Sequence, residues 1–435
     1  MNKHGAFAVP PPSSTEERHL APGLTEEAQF AERVFVRGEG TRIFDEVGRS
    51  YLDFGAGILT QAVGHCHPHV TQRVQAQVGQ LTNIHDSATS ARGELCGLLA
   101  ELFPEHLNSF AFFSTGAEAV EAAIRAVHAQ ARPGKTVIAA LKSGFHGKTK
   151  GARALVNWTV GSEPKTEEAR QFPHAHCFNC PLNLTYPDCG IACARHVADE
   201  IRASDDLAAL VFEPVQAAGG VIVPPRDYWK IIEQACREKG VVMVADEIVT
   251  AGGRTGPFLA SEYYGIEPDL VTAAKGLSSG LPFSMLAGRD KIMSAPGFAS
   301  PGSTSSTYGG NPVSCVAATS TLEVLRDDDV LSGVSRLGDQ LRCGLRELHR
   351  SFPDQIADVR GIGLLHAIEF GAFGETRREQ ADRATHFYQS ALDQGVRVGL
   401  GGNIARLAPP LNVSQSEIED ALGAFRSVLS EGAAS

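Results

Sequence analysis

The sequence of 435 residues lacks any apolar run long enough to cross a bilayer, which takes about 20 residues in a helix. Its first residues also lack the apolar stretch of a secretory signal peptide. They include instead the segment 9–14, VPPPSS, which is typical of a flexible tail. We therefore expect a cytoplasmic protein with reduced thiols.

The sequence also has fewer basic than acidic residues. The chain has 39 lysines and arginines against 50 aspartates and glutamates, which gives a formal net charge of -11 at pH 7. Nucleic acids and anionic membranes bind basic surfaces, so neither partner is expected. A small anionic substrate remains compatible with this charge, because the local charge of a pocket decides its binding.

A standard zinc-binding spacing is missing among the nine cysteines. Four of them cluster, separated by two, eight and three residues: Cys177, Cys180, Cys189 and Cys193. A metal site and a loop with free thiols are both open, and the irregular spacing favours free thiols. No metal is part of the predicted site.

Short apolar runs alternate with helical patterns through the middle of the chain, as in a mostly parallel sheet covered by helices. The predicted strands of this sheet are 110–113, 136–141, 207–212, 241–245 and 270–273. The C-terminal part differs, with helical patterns at 331–348 and 383–395 and short strands near 364–370 and 406–408. The chain is too long for one small core.

We predict an α/β fold with two domains. A large domain spans 66–325, and a smaller α+β domain is built from both termini, 31–65 and 326–435. A flexible tail and an N-terminal arm occupy 1–30.

Four polar groups stand where predicted strands end. Ser114 follows the first of these strands, Glu213 the third, Asp246 the fourth, and Lys275 the fifth. Ligands of open α/β sheets bind at the carboxyl ends of the strands. We therefore expect these four side chains to lie close together.

The segment 114–119, STGAEA, joins a strand end, a turn of small residues and a helix start. The first N–H groups of a helix are unpaired and favour anions, which makes the turn a candidate phosphate site. An ordinary tight turn explains the segment equally well.

Asp246 and Lys275 each have a simple and a functional interpretation. A carboxylate at the end of a buried strand is costly without a cationic partner, such as a protonated pyridine nitrogen. Taken alone, a helix N-cap is the better explanation of Asp246. Lys275 lies among small residues in 272–280, TAAKGLSSG, where partial desolvation would lower its pKa and make it a nucleophile. Taken alone, it would be assigned as a surface charge.

The small-residue turn at 114–119, Asp246 and Lys275 occur in this order along the chain, each at the end of a predicted strand. From about residue 34 to 413 the sequence resembles the class III aminotransferases, which are pyridoxal-phosphate enzymes of fold type I. The most specific stretch is 246–256, DEIVTAGGRTG, followed by Pro268-Asp269-Leu270 and Lys275-Gly276. Other matching stretches are 64–68, GHCHP; 213–216, EPVQ; 306–312, STYGGNP; and 406–411, RLAPPL.

The resemblance implies how the cofactor is held. Lys275 would form the internal aldimine and later move the proton between the substrate Cα and the C4′ of the cofactor. Asp246 would keep the pyridine nitrogen protonated. Gly116 and Ala117 would donate backbone N–H groups to the phosphate.

The resemblance also assigns the faces of the cofactor ring and a residue from a second subunit. Phe145 would stack on the ring, and Ile248 would pack on its other face. Thr307 would bind the phosphate of the neighbouring subunit, so a homodimer with active sites at the interface is implied.

Substrate residues follow from the same resemblance. Arg406 would grip the α-carboxylate of glutamate or 2-oxoglutarate with its forked guanidinium. Glu213 matches a carboxylate that pairs with this arginine when an ω-amino substrate is bound. Ile58 stands where 4-aminobutyrate enzymes are apolar and ornithine enzymes have tyrosine, although core packing explains it equally well.

Two positions depart from the family pattern. Lys148 replaces an arginine that can bind a distal carboxylate, so the charge is kept and the fork is lost. Val249 replaces a glutamine near the 3′ oxygen of the cofactor and cannot form a hydrogen bond. A third motif, Gly361-Ile362-Gly363, resembles a dinucleotide fingerprint but lacks its third glycine and leads into a strand.

We expect transfer of an amino group from a 4-aminobutyrate-like ω-amino acid to 2-oxoglutarate by a ping-pong mechanism. Racemases, epimerases and aminomutases share the fold and the lysine, and the departures at Lys148 and Val249 keep that alternative open. A non-catalytic regulator with an attached DNA-binding segment is disfavoured, because no such segment is apparent before Ala31 and the chain is acidic.

Overall fold

The computed structural model describes residues 33–157, 169–327 and 330–432. The predicted tail and arm at 1–30 lie outside these residues. Fifteen strands form three sheets: β1 Phe35–Glu39, β2 Arg42–Asp45, β3 Ser50–Asp53, β4 Ser109–Phe113, β5 Val137–Leu141, β6 Ala169–Phe172, β7 Leu207–Phe212, β8 Val242–Asp246, β9 Leu270–Ala273, β10 Ser284–Gly288, β11 Ile356–Ile362, β12 Leu365–Phe370, β13 Val396–Arg397, β14 Gly399–Gly401 and β15 Ile404–Leu407.

Thirteen α-helices connect and cover the strands of the described residues: α1 Pro68–Val78, α2 Ser90–Leu102, α3 Gly116–Gln130, α4 Lys150–Ala154, α5 Ala192–Ala203, α6 Tyr228–Lys239, α7 Ala260–Tyr264, α8 Asp290–Met293, α9 Pro296–Ala299, α10 Pro312–Asp327, α11 Val330–Ser351, α12 Arg377–Asp393 and α13 Gln415–Gly432. A 3-10 turn, Lys275–Ser278, follows β9. None of these helices is long and apolar enough to cross a membrane.

The central sheet has seven strands in the order β4-β10-β9-β8-β7-β5-β6. All neighbours pair in parallel except β10, which is antiparallel to both β4 and β9. The strands β7 and β9 are buried along their whole length, because both faces of the sheet are covered. The predicted α/β fold with a mostly parallel sheet is confirmed.

The two termini meet in a second sheet, in the order β1-β2-β3-β13. There β13 pairs in parallel with β3, and Leu52 lies opposite Val396. The third sheet, β11-β12-β15-β14, is antiparallel. These pairings join the N-terminal strands to the C-terminal part, as predicted, while the domain boundaries at 31–65, 66–325 and 326–435 stay predictions.

Several element ends differ from the predictions. Asp246 is the last residue of β8 rather than the residue after it. Helix α12 begins at Arg377, where a Thr376 capping box starts it, so its polar first turns precede the predicted apolar pattern. The predicted strand 406–408 is Ile404–Leu407.

The cysteine cluster Cys177, Cys180, Cys189 and Cys193 surrounds one small cavity. All nine cysteines are free thiols in the structure. Burial, together with the neighbouring thiols, raises the pKa of Cys177 to about 11, so it carries little thiolate at neutral pH. Among the described residues, no group of three or more His, Cys, Asp or Glu side chains has the geometry to hold a metal.

Candidate active site

A cavity of about 640 Å³ opens at the carboxyl ends of β4, β7, β8 and β9. Ser114, Glu213, Asp246 and Lys275 all line it, so the predicted gathering of these side chains is confirmed. The volume falls in the range of about 300–1,000 Å³ that small-molecule and cofactor sites occupy.

The N-terminus of α3 forms one wall of this cavity. A capping box, in which the Thr115 hydroxyl accepts from Glu118 N and Glu118 Oε2 accepts from Thr115 N, starts the helix. The box leaves the first N–H groups of the helix, those of Gly116 and Ala117, to a ligand. Because Gly116 has no Cβ, the wall can pack closely: a Cβ there would lie 2.8 Å from Ile248 Cδ1.

Asp246 is 4% exposed, and its two carboxylate oxygens are held separately. Oδ2 lies 2.7 Å from His146 Nδ1. Oδ1 accepts from Ile248 N at 3.2 Å and from the Thr272 hydroxyl at 3.3 Å. This network fixes the direction of the carboxylate in the lining of the cavity and explains how its burial is tolerated.

His146 is a site residue to which sequence reasoning gave no role. It is 2% exposed and lines the cavity. Burial disfavours its charged form, but the hydrogen bond and charge of Asp246, with Glu213 nearby, raise the pKa of His146 above its ordinary value. No local signal marks this role, because Asp246 lies far along the chain and only the fold joins the pair.

Lys275 is half-buried and begins the 3-10 turn that follows β9, one residue after the strand ends. Burial, together with the positive charge of Arg406, lowers its pKa to about 8, although Glu213 and Asp246 act in the opposite direction. Its backbone has a φ of 45°, in the left-handed region that non-glycine residues rarely adopt. Lys275 therefore combines a rare backbone conformation with an amine that loses its proton more easily than an ordinary lysine does.

Glu213 is 5% exposed, and its oxygens accept hydrogen bonds from Phe145 N at 2.9 Å and Ala217 N at 3.0 Å. Burial raises the pKa of Glu213 to about 7, with His146 opposing and Asp246 adding to the shift. Its charge can therefore change near neutral pH at a fixed position.

Of the other residues predicted to bind cofactor or substrate, some line the cavity and others lie outside it. Phe145, Ile248 and Lys148 line the cavity. Arg406, on β15, is half-buried and close enough to affect the Lys275 amine. Thr307 is exposed and does not line this cavity; its carbonyl oxygen accepts from Asn83 Nδ2 at 3.0 Å.

Ile58 lies in a left-handed helical turn, Ala56–Leu59, beside the cavity residue Thr60. Its side chain is 58% exposed, so the core-packing interpretation of Ile58 is wrong. All four residues of the turn have φ between 45° and 65°, which costs L-residues about 1–2 kcal/mol each. The buried Asp53 carboxylate stabilises the turn by accepting from Gly55 N and Gly57 N.

The family model described as aminotransferase class-III matches residues 25–429. This chain belongs to the class III aminotransferases. The predicted family is thereby confirmed, and with it the requirement for pyridoxal phosphate.

Relatives match over nearly the full length. The acetylornithine aminotransferase of Thermosynechococcus vestitus is 35% identical over 92% of this chain and 93% of its own. The 4-aminobutyrate aminotransferase of Escherichia coli is 32% identical over 89% and 91%. The crystal structure of an (S)-enantioselective omega-transaminase from Thermomicrobium roseum superposes with a TM-score of 0.89 at 28% identity, covering 96% of this aminotransferase and 98% of that chain.

The residues of this aminotransferase fit its cofactor. The open N–H groups of Gly116 and Ala117 suit a phosphate, and the Asp246 carboxylate suits a protonated ring nitrogen. The Lys275 amine suits an aldehyde, because it is deprotonated more readily than an ordinary lysine. All of these groups line one cavity.

Proposed function

We propose that this enzyme transfers the terminal amino group of an ω-amino acid, similar to 4-aminobutyrate, to 2-oxoglutarate. The observation that carries the proposal is the Lys275 amine, with a pKa of about 8, in one cavity with Asp246 and Glu213 and within electrostatic range of Arg406. The names of the relatives support the donor class, since acetylornithine and 4-aminobutyrate both carry a primary amine at the end of the chain.

Pyridoxal phosphate, when bound, supplies an aldehyde for the substrate amine and a ring that stabilises negative charge at the adjacent carbon. Lys275 Nζ would hold the cofactor and would be the base that takes the proton from the carbon bearing the amine. Gly116 and Ala117 would orient the phosphate with backbone N–H groups. Phe145 and Ile248 would contact the ring.

Asp246 and His146 would act together on the ring nitrogen. The carboxylate of Asp246 would keep the proton on that nitrogen. His146 holds Asp246 Oδ2 at 2.7 Å and thereby fixes the direction of the carboxylate. His146 is a positioning residue, because it acts through Asp246.

Glu213 and Arg406 set the choice between the two substrates. Arg406 binds the α-carboxylate of 2-oxoglutarate or glutamate through its guanidinium. When an ω-amino acid without that carboxylate enters, Glu213 compensates the charge of Arg406. The Glu213 pKa of about 7 supports this role, because the carboxyl group changes charge at little cost near neutral pH. Ile58 gives the entrance an apolar contact, and Lys148 meets a distal carboxylate.

The active form is a homodimer in which Thr307 binds the phosphate of the neighbouring subunit. Thr307 is exposed and lies outside the cavity of its own chain, which supports a role across an interface. Exposed apolar side chains surround its contact with Asn83, namely Leu81, Ile84 and Tyr308. A second subunit would cover them.

A donor panel tests the proposal. Holoenzyme is mixed with 4-aminobutyrate, 5-aminovalerate, acetylornithine or alanine, and the absorbance change of the bound cofactor is recorded before and after 2-oxoglutarate is added. We expect the ω-amino acids to give one half-turnover, which 2-oxoglutarate then reverses. Pyruvate is the control acceptor, because it lacks the second carboxylate.

An isomerase would behave differently in the same assay. It would convert its amino acid continuously with no keto acid present. Val249, which lines the cavity and cannot form a hydrogen bond, is the feature that favours this second function. Multiple turnovers without any keto acid would overturn the aminotransferase proposal.

A further inference from the structure

A second cavity, of about 420 Å³, shares no lining residue with the candidate active site. It lies between the segment that follows β8, helix α11, and the turn that joins β11 to β12. The glycine motif Gly361–Gly363, which no role in the active site explains, forms one wall. Thr255 and Arg342 contribute to the facing walls.

Three polar atoms on residues of this cavity have no hydrogen-bond partner among the described residues: Thr255 Oγ1, Arg342 Nε and His366 Nδ1. Thr255 is only 3% exposed and His366 only 1%. Buried polar atoms almost always have partners, so three orphans around one cavity point to a missing ligand.

The donor or acceptor character of the three unpartnered atoms defines the kind of ligand. His366 Nε2 lies 2.7 Å from the Gly363 carbonyl oxygen, which can only accept, so Nε2 carries the proton. Burial lowers the pKa of His366 to about 4, which keeps the ring neutral and leaves Nδ1 as an acceptor. Arg342 Nε is a donor, and the Thr255 hydroxyl can donate or accept. The cavity therefore suits a group with acceptor oxygens and a hydroxyl.

The charged residues that line the cavity are Arg342 and Asp339, and another cation, Arg254, lies outside the lining but next to the lining residue Thr255. Arg254, next to Thr255, is 3% exposed and donates to the carbonyl oxygens of Leu364 and Pro409. Within the described part of the chain, no carboxylate forms an ion pair with it. Arg342 adds a second positive charge, which Asp339 partly offsets through a 2.7 Å ion pair.

We propose that this cavity is a second ligand site, which binds a hydroxyl-bearing oxyanion such as phosphate, free or carried by a small molecule. Arg342 and Thr255 donate to its oxygens, and His366 Nδ1 accepts from its hydroxyl. The cavity exceeds the size of phosphate, and Tyr263 and Ile362 provide contacts for an organic part. The ligand joins the segment after β8 to the β11–β12 turn, so its binding stabilises the folded enzyme.

Calorimetry on the holoenzyme tests the site with inorganic phosphate, sulfate and glycerol 3-phosphate at constant ionic strength. We expect saturable binding of phosphate, and binding of sulfate at least about tenfold weaker, because sulfate has no hydroxyl at neutral pH. Tighter binding of glycerol 3-phosphate would identify an organic phosphate as the ligand, and equal or weaker binding would identify free phosphate. The Arg406→Ala holoenzyme should bind phosphate as the wild type does, which separates this site from the active site.

Two substitutions in the cavity lining should change phosphate affinity in opposite directions. Arg342→Met should weaken phosphate binding about tenfold, whereas Arg346→Met, exposed on the same helix and outside the cavity, should change it less than about twofold. Asp339→Asn should tighten binding, because it releases Arg342, and a misfolded variant cannot produce that gain. Absence of phosphate binding to the wild type, equal binding of sulfate, or loss of binding in Arg406→Ala would each overturn the proposal.

Discussion

The protonation of one amine connects the geometry of the site to its chemistry. A lysine with an ordinary pKa is almost fully charged at pH 7, whereas one with a pKa of about 8 is neutral in about a tenth of the molecules. The shift arises from burial and from Arg406, and the acids Glu213 and Asp246 limit it. Lys275 is thus reactive and still protonated often enough to return a proton.

Cofactor-free enzyme should therefore take up pyridoxal phosphate with a pH dependence set by Lys275. The uptake rate should rise with pH, reach half of its maximum near pH 8 and level off about one pH unit higher, because only the neutral amine attacks the aldehyde. Borohydride reduction after uptake, followed by peptide mapping, should find the label on Lys275.

Lys275→Ala should remove the trapped label, and Lys150→Ala, at an exposed lysine on α4, should leave it unchanged. A rate that continues to rise to pH 10, or a wild-type yield of label in Lys275→Ala, would contradict the role of this amine.

At the scale of single elements, the start of α3 contributes to two parts of the proposed cofactor site, the part that binds the phosphate and the part that contacts the ring. The same glycine that leaves the helix N–H groups accessible also allows Ile248 to pack against it. A change at Gly116 should therefore disturb both the phosphate and the ring face.

Gly116→Ala should weaken the binding of pyridoxal phosphate about tenfold or more, since the new Cβ would lie 2.8 Å from Ile248 Cδ1. Absorbance titration of the cofactor-free protein measures the affinity. Gly93→Ala is the control, because a Cβ at that position on α2 meets no atom within 4 Å. The role of this turn would be refuted if both variants bound the cofactor as the wild type does.

Much of this element structure was predictable from the sequence. The ends of β7 and β9 matched the predictions, because fully buried strands are uninterrupted apolar runs with polar groups behind them. The meeting of Ser114, Glu213, Asp246 and Lys275 followed from the rule that parallel strands share a carboxyl edge.

The remaining features depend on long-range contacts. The left-handed turn at Ala56–Leu59 contains three residues with a Cβ, and the bonds of Asp53 stabilise it only once the sheet has formed. The contact between His146 and Asp246 joins the loop after β5 to the end of β8, and these two parts of the chain meet only in the folded protein. The antiparallel β10 was missed, because small residues occupy much of it and give no alternation.

At the scale of the whole molecule, the exposed position of Thr307 has a testable consequence for the proposed dimer. Thr307→Val should weaken cofactor binding about tenfold, because it removes one hydrogen bond to a charged phosphate. Lys275→Ala should be inactive. When the two variants are unfolded together and refolded, each mixed dimer has one site with both residues intact.

We expect this mixture to regain activity at low cofactor concentration, whereas neither variant is active there alone. Thr307→Val mixed with itself is the baseline, and Ser305→Ala, exposed on the same segment, is the matched control. No gain on mixing would place Thr307 in the site of its own chain or outside the chemistry.

The parallel pair of β3 and β13 has a consequence for how the protein is made. Leu52 and Asp53 find their strand partners at Val396 and Arg397, near the end of the chain. During synthesis, β1, β2 and β3 can pair with one another, but the outer edge of β3 stays unpaired until almost all of the polypeptide has left the ribosome. Premature termination before position 396 would leave that sheet edge available to other nascent chains, which makes truncated products an aggregation hazard.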